Sequence, residues 1–282
     1  MFRKLDSNSL FRLLQWLSLD VVLGACAGMY FFAHLLGLHL DLLFYLLMGL
    51  AVWSIYTLDH LLDARQVGGT ASTERHRFHQ VYSNQLCIVL GVVVIVGAGI
   101  AYYLLDVSLI SVSAILLGGL IVGNMLAIKY LFSKLAFLKE FNIAVFYTVG
   151  IMLVPYLLGM DEGVNRAFWL LGLAYFLVAL MNLWLLSIMD AESDRQDGFV
   201  SLVTFLGKER VQKLLFWLMI ITLIYNLSLY WILFSYFYMH ISVILITSLI
   251  HCLEVIKPSP DSSQARRKME AAFMLPFILL LF

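Results

Sequence analysis

Residues 40–63 read LDLLFYLLMGLAVWSIYTLDHLLD, a run uncharged from Leu42 to Leu58 that closes on Asp59 and Asp63. About 20 apolar residues in a helix match the ~30 Å hydrocarbon core of a bilayer, so the segment reads as a spanning helix with two carboxylates at its end. Their four-residue spacing puts both side chains on one face, with room for a cation between them. The same arrangement recurs at Asp190 and Asp194, where another apolar segment ends.

The rest of the chain agrees with this reading. Its 282 residues are 62% hydrophobic with a mean hydropathy of +0.93, far from an ordinary soluble domain. Nine spanning helices are expected, over 12–36, 40–62, 81–104, 107–128, 138–160, 166–190, 211–235, 237–256 and 266–282. The last has an uninterrupted apolar run only from Ala271. The expected fold is an all-α integral membrane protein, its nine helices bundled around a central cavity. A single domain over 1–282 follows, because only 258–263 has loop-like Pro/Ser composition. The acidic pairs close the second and sixth segments, a weak internal duplication of the kind that frames cavities in membrane proteins.

Basic residues test the topology independently, because short cytoplasmic loops collect Lys and Arg. Arg3, Lys4 and Arg12 precede the first segment, and Arg65, Arg75 and Arg77 follow the second. Lys129, Lys134 and Lys139 follow the fourth, and Arg195, Lys208, Arg210 and Lys213 the sixth. Lys257, Arg266, Arg267 and Lys268 follow the eighth, so only Arg166 of the 18 basic residues falls on the other side. A cytoplasmic N-terminus is expected, with both acidic pairs on that same side, in the inner membrane if the chain is bacterial. A formal net charge of zero argues against a nucleic-acid partner. Arg3 and Lys4 before an apolar run resemble a secretory signal with Ala25-Cys26-Ala27 as a cleavage site. Asp20 interrupts that run, however, and hydrophobic sequence continues to Leu38, which suits a retained helix. Cys26, Cys87 and Cys252 lie in separate predicted spans without CxxC spacing, which suits packing. No Gly-rich phosphate loop, Gly-x-Ser-x-Gly turn or His-Glu-x-x-His pair is present.

Carboxylates at these places are costly without a partner. Both pairs fall at helix C-termini, where the dipole disfavours each negative charge by roughly 0.3–1 kcal/mol, and like charges four residues apart repel. Bound Mg²⁺ reverses both penalties, since it favours carboxylate and phosphate oxygens. Headgroup-level water would satisfy a single pair; two matched pairs favour a metal-bound diphosphate. Asp20, an acid inside the first segment, is a candidate to orient or deprotonate an acceptor, or pairs with a neighbouring helix. Trp53, Tyr56 and Trp184 stand one to two turns before the acidic pairs and are candidates to line the cavity. Asn124, Asn142 and Asn182 read as polar contacts between helices. His60, His76 and His79 lack the spacing of a metal site and are expected to be solvated.

These residues resemble the UbiA superfamily of intramembrane prenyltransferases, whose two aspartate-rich motifs end the second and sixth helices. Asp190-Ala-Glu-Ser-Asp194-Arg-Gln-Asp-Gly198, followed by Ser201-Leu202 and Leu206-Gly207, is similar to that family's Asp-x-x-x-Asp-x-x-x-Gly with its trailing Thr-Leu-Pro-x-x-x-Gly. Ser201 replaces the Thr and Val203 the Pro. Ile55-Tyr-Thr-Leu-Asp59-His-Leu-Leu-Asp63 resembles Asn-x-x-x-Asp-x-x-x-Asp, with Ile55 where the family has Asn. Glu74-Arg75-His76-Arg77 resembles an Arg-rich loop segment, with Phe78 in the place of its proline. Lys129-Tyr130 and Leu138-Lys139-Glu140 resemble the connection between the fourth and fifth helices.

The resemblance implies that Asp59, Asp63, Asp190 and Asp194 hold Mg²⁺ and act catalytically on a polyprenyl diphosphate. Arg75, Arg77, Lys134 and Lys139 are the implied cations for its phosphates. The implied reaction is prenyl transfer within the bilayer to a hydrophobic acceptor, aromatic among the options. A membrane terpene cyclase acting on a prenyl diphosphate is the near alternative, and the missing Asn keeps it open. A non-catalytic lipid-binding or transport protein with a degenerate site is the third.

Overall fold

The computed structural model describes residues 7–105, 109–131 and 138–282, and its secondary structure there is entirely helical. Twelve α-helices are formed among the described residues: α1 Ser7–Trp16, α2 Leu19–Leu35, α3 Leu42–Gln66, α4 Glu74–Val81, α5 Ser83–Leu105, α6 Leu109–Leu126, α7 Lys139–Gly159, α8 Arg166–Asp197, α9 Leu202–Leu206, α10 Lys208–Ile232, α11 Tyr238–Ile256 and α12 Ser262–Ala272. Seven apolar helical stretches among the described residues are long enough to cross a membrane: α3, α5, α6 with its π-helical extension, α7, α8, α10, and α11 with the turn before it. The chain is thus a multi-pass integral membrane protein.

Local sequence sets where the helices start and stop. Asp41 caps α3 by accepting from Leu43 N at 2.8 Å, and Asn165 caps α8 by accepting from Phe168 N at 3.0 Å. Gly198 ends α8 at φ 78°, a left-handed conformation that glycine adopts without steric cost. Phe199 N then donates to Asp194 O at 2.8 Å, which turns the chain just past the second acidic pair.

Two of the nine expected spans differ from the sequence reading. The segment 12–36 is broken at Ser18, a non-glycine residue at φ 54°, and α2 keeps 17 residues. At ~1.5 Å per residue that is roughly 25 Å, slightly short of the hydrocarbon core. The segment 266–282 is not one helix: α12 ends at Ala272, and a 3₁₀ stretch, Leu275–Leu281, follows with Pro276 near its start. A proline lacks the amide that would continue an α-helical ladder. This composite packs along α2, with Phe273 beside Gly24 and the Phe277 ring 6.2 Å from that of Tyr30.

Burial is uneven. Helices α2, α7, α8, α10 and α11 share a dense core around Met29, Phe31, Phe32, Phe168, Leu171 and Ile241. Small residues allow close approach there: a Cβ on Gly28 would lie 2.8 Å from Ile151 and 2.9 Å from the Tyr175 hydroxyl. The α6 helix, by contrast, has no buried residue. It touches α3, α5 and α7 and closes one side of a chamber.

Candidate active site

A cavity of about 400 Å³ lies between α2, α3, α6 and α7. On α3 its wall is the stripe Met48, Val52, Ile55, Tyr56, Asp59 and Asp63; Gly118 and Ile121 of α6 and Tyr147 and Gly150 of α7 face it. Most of the wall is apolar, and the charges collect at one end, where Asp59, Asp63, Lys129 and Lys139 meet.

The spacing on α3 explains this end, because one helix face presents both carboxylates at once. Lys129 Nζ stands 2.5 Å from Asp63 Oδ1 and 3.3 Å from Asp59 Oδ1, and it also donates to the Asp59 carbonyl at 3.3 Å. Lys139 Nζ is 3.7 Å from Asp59 Oδ2 and 3.8 Å from Asp63 Oδ2. Lys139 also interacts electrostatically with Asp194, so one ammonium carries a favourable charge interaction with both motifs. The sequence presents Lys129 only as a loop cation resembling a family feature. No local signal marks it as the nearest partner of Asp63.

The second pair is placed differently. Asp190 receives both contacts of one Arg266 nitrogen, at 2.6 and 2.8 Å, from α12. Neither Asp190 nor Asp194 is among the cavity-lining residues, although Gly198, Phe199 and Val200 just beyond them are. The helix ends are tied together by Asp197, which accepts from Ser72 N at 3.0 Å and from Ser72 Oγ at 2.8 Å. Glu140 Oε1 adds a second tie, accepting from Ser187 Oγ at 2.9 Å and Leu202 N at 3.0 Å. Such hydrogen bonds to a charged acceptor contribute about 1.5–3 kcal/mol each. Both motifs therefore sit at one end of the bundle on cross-linked elements.

The remaining sequence candidates separate clearly. Tyr56 lines the cavity. Trp53 lies outside the α3 stripe, and Trp184 packs on Leu202, Val203 and Val211 instead. Arg77 is exposed and donates to the carbonyls of Ala71 and Ser72 at 3.3 and 3.2 Å, which shapes the α3–α4 loop. Lys134 lies outside the described residues. Asp20 interacts with Glu270 of α12 and is not in the cavity wall. Asn142 donates to Asn124 at 3.4 Å across α7 and α6.

Arg75 approaches His60 Nε2 at 3.5 Å. Burial, reinforced by the Arg266 guanidinium, lowers its pKa, with Glu270, Asp190 and Asp20 opposing. Burial likewise lowers the pKa of His76 against the opposing charge of Asp63, and that of His79, whose Nδ1–H donates to Arg75 O at 2.9 Å. The expectation that these histidines are solvated is overturned: His60 and His79 are buried, at 8% and 1% exposure. The α4 helix folds back over the end of α3, which the sequence spacing does not reveal.

The structure is thus that of a polytopic helical membrane protein with an apolar chamber that carboxylates and lysines bound at one end. The chain belongs to the UbiA prenyltransferase family, whose sequence profile matches residues 21–275, and membership makes it a prenyltransferase-type membrane enzyme. No curated protein and no solved structure matches it.

Proposed function

We propose that the protein transfers a prenyl group from a polyprenyl diphosphate to a hydrophobic acceptor, with Mg²⁺ at the acidic end of the cavity. The observation that carries this reading is the division of one chamber into a long apolar wall and a charged end formed by Asp59, Asp63, Lys129 and Lys139. An isoprenoid tail matches the first and a diphosphate the second. The α3 carboxylates fit the metal, since carboxylate oxygens are the hard ligands Mg²⁺ takes; Asp190 and Asp194, outside the cavity wall but at the same end of the bundle, would join them as its ligands from α8. Bound there, the ion supplies neutralisation of the charge that grows on the leaving diphosphate.

The chain's own residues do the rest. Lys129, Lys139 and Arg75 donate charge-assisted hydrogen bonds to phosphate oxygens. As the C–O bond breaks, the allylic cation is left among apolar side chains and the faces of Tyr56 and Tyr147, which tolerate positive charge and exclude water. We place the motif end at the cytoplasmic face, as the distribution of Lys and Arg implies, and take α2 and the α12–3₁₀ composite as membrane-crossing, which completes nine passes.

A second reading rests on Ile55. This residue lies in the cavity wall where the family pattern has Asn, and it leaves that position without an amide. A cyclase that quenches the cation within its own chain needs no acceptor. Incubating purified protein with geranyl, farnesyl and longer diphosphates, with and without Mg²⁺, tests both. Mg²⁺-dependent diphosphate release that requires an acceptor supports the transferase, and cyclised hydrocarbon without acceptor supports the cyclase. Release that ignores Mg²⁺ refutes the site assignment, and its complete absence, with and without added hydrophobic acceptors, leaves a lipid-binding or transport role.

A further inference from the structure

His60, Asp63 and His76 each bring one ligand atom within 4.8 Å of the others. Two come from the last turns of α3 and one from α4, so the cluster exists only because the α3–α4 loop folds α4 back. We propose that these three residues form a metal site for a borderline transition ion of the Zn²⁺ class, distinct from any Mg²⁺ site and abutting it through Asp63.

The donor chemistry argues for this class. Two imidazoles and one carboxylate are the ligand types of Zn²⁺ and its neighbours, whereas Mg²⁺ takes oxygen. Three protein ligands leave a fourth position for water or a phosphate oxygen. Tetrahedral ligands at zinc distances stand about 3.3 Å apart, so the observed spread needs only a small contraction of side chains. The second observation is independent of the clustering. His60 is 8% exposed, and its Nδ1 is buried without any hydrogen-bond partner. A buried polar atom left unpaired is costly, and a metal bond removes that penalty.

Outer contacts support the same assignment. Ser18 Oγ lies 3.3 Å from His60 Nε2, and Asp197 Oδ2 stands 3.7 Å from His76 Nδ1. Hydroxyls and carboxylates behind ligating histidines fix ring orientation and raise ligand basicity. Lys129 occupies Asp63 Oδ1, but Lys139 is 3.8 Å from Oδ2, beyond hydrogen-bonding reach, so one oxygen remains for an ion. His79 is not a ligand, because its Nδ1–H is spent on the Arg75 carbonyl.

Cobalt titration of the chelator-stripped, detergent-purified full chain tests the proposal without any substrate. One equivalent of Co²⁺ is expected to give visible absorption of a tetrahedral or five-coordinate site that Zn²⁺ abolishes and excess Mg²⁺ does not. His60→Gln and His76→Gln are each expected to weaken Co²⁺ binding about tenfold or more. Absence of the band in the wild type, or its persistence in the double variant, overturns the proposal. Should those variants fold poorly, pulsed EPR of the wild type with one equivalent of Cu²⁺ decides: two equatorial imidazoles support the site, and one or none refutes it. Mg²⁺-dependent diphosphate release is read separately, so failure here leaves the prenyl-transfer reading standing.

Discussion

Replacing Asp63 with Asn keeps the shape of the side chain and deletes one charge at the polar end of the cavity. With an effective dielectric constant of about 20, the gross attraction of Lys129 is roughly 6–7 kcal/mol to Asp63 at 2.5 Å and roughly 5 kcal/mol to Asp59 at 3.3 Å. Desolvation offsets much of both. Breaking a buried pair outright costs about 3–5 kcal/mol because the other charge is stranded. Here Asp59 stays on Lys129, so Asp63→Asn is expected to destabilise the protein by about 1–3 kcal/mol. Activity should suffer more. Loss of one group that stabilises transition-state charge typically lowers turnover about 100- to 1,000-fold, to be read as diphosphate release from farnesyl diphosphate over a Mg²⁺ titration. The double variant Asp63→Asn/Lys129→Met removes the under-paired ammonium and should recover thermal stability without recovering activity. Wild-type turnover by Asp63→Asn with an unchanged Mg²⁺ dependence would refute the assignment of this carboxylate.

Three further outcomes are expected. Burial lowers the His79 pKa, so the unfolded chain binds the proton more readily; stability is full above the free imidazole value of about 6.5 and falls as pH drops below it. Thermal melts from pH 7.5 to 5 should show this decline, and His79→Phe should make it shallower. Arg266→Met frees Asp190 from its guanidinium, and because that carboxylate is 40% exposed, the loss of stability should stay near or below about 1 kcal/mol. On the prenyl-transfer reading the same variant should reach half-maximal diphosphate release at a lower Mg²⁺ concentration, since the carboxylate no longer divides itself between a guanidinium and the ion; an unchanged or higher requirement would count against Asp190 as a ligand. Finally, Gly118 and Gly150 line the chamber, and a Cβ placed on either meets no neighbouring atom within 4 Å. Gly118→Phe or Gly150→Phe should fill the apolar wall, shifting the preference among geranyl, farnesyl and longer diphosphates towards the shorter ones while leaving thermal stability nearly unchanged.

The membrane class and the α3 pair were legible in the sequence because charge inside apolar sequence is conspicuous and four-residue spacing fixes a shared face. Asp59, Asp63 and Tyr56 could be placed on one stripe from periodicity alone. Lys129 could not, since a lysine at the end of a span serves topology equally well. The Arg266–Asp190 pair joins residues 76 positions apart, and no local pattern reports such a contact. The histidine cluster was hidden for a related reason: loop curvature, set by the Ser72–Asp197 tie and the Gln80 contacts to Ala64 O and Gly69 O, brings α4 over α3. The break at Ser18 was equally silent, because serine is compatible with a continuing helix. At the break its hydroxyl lies 3.3 Å from His60 Nε2, a contact that joins residues 42 positions apart.

Two lysines resting on two carboxylates make the acidic end of the chamber locally neutral before anything binds. On the prenyl-transfer reading, Asp59 and Asp63 would hold the ion and Lys129 and Lys139 the phosphate oxygens, so each group that now neutralises another would have a new partner of opposite charge. The pair of acids is thus kept neutralised within an otherwise apolar chamber, and on that reading would stay so once a substrate is bound.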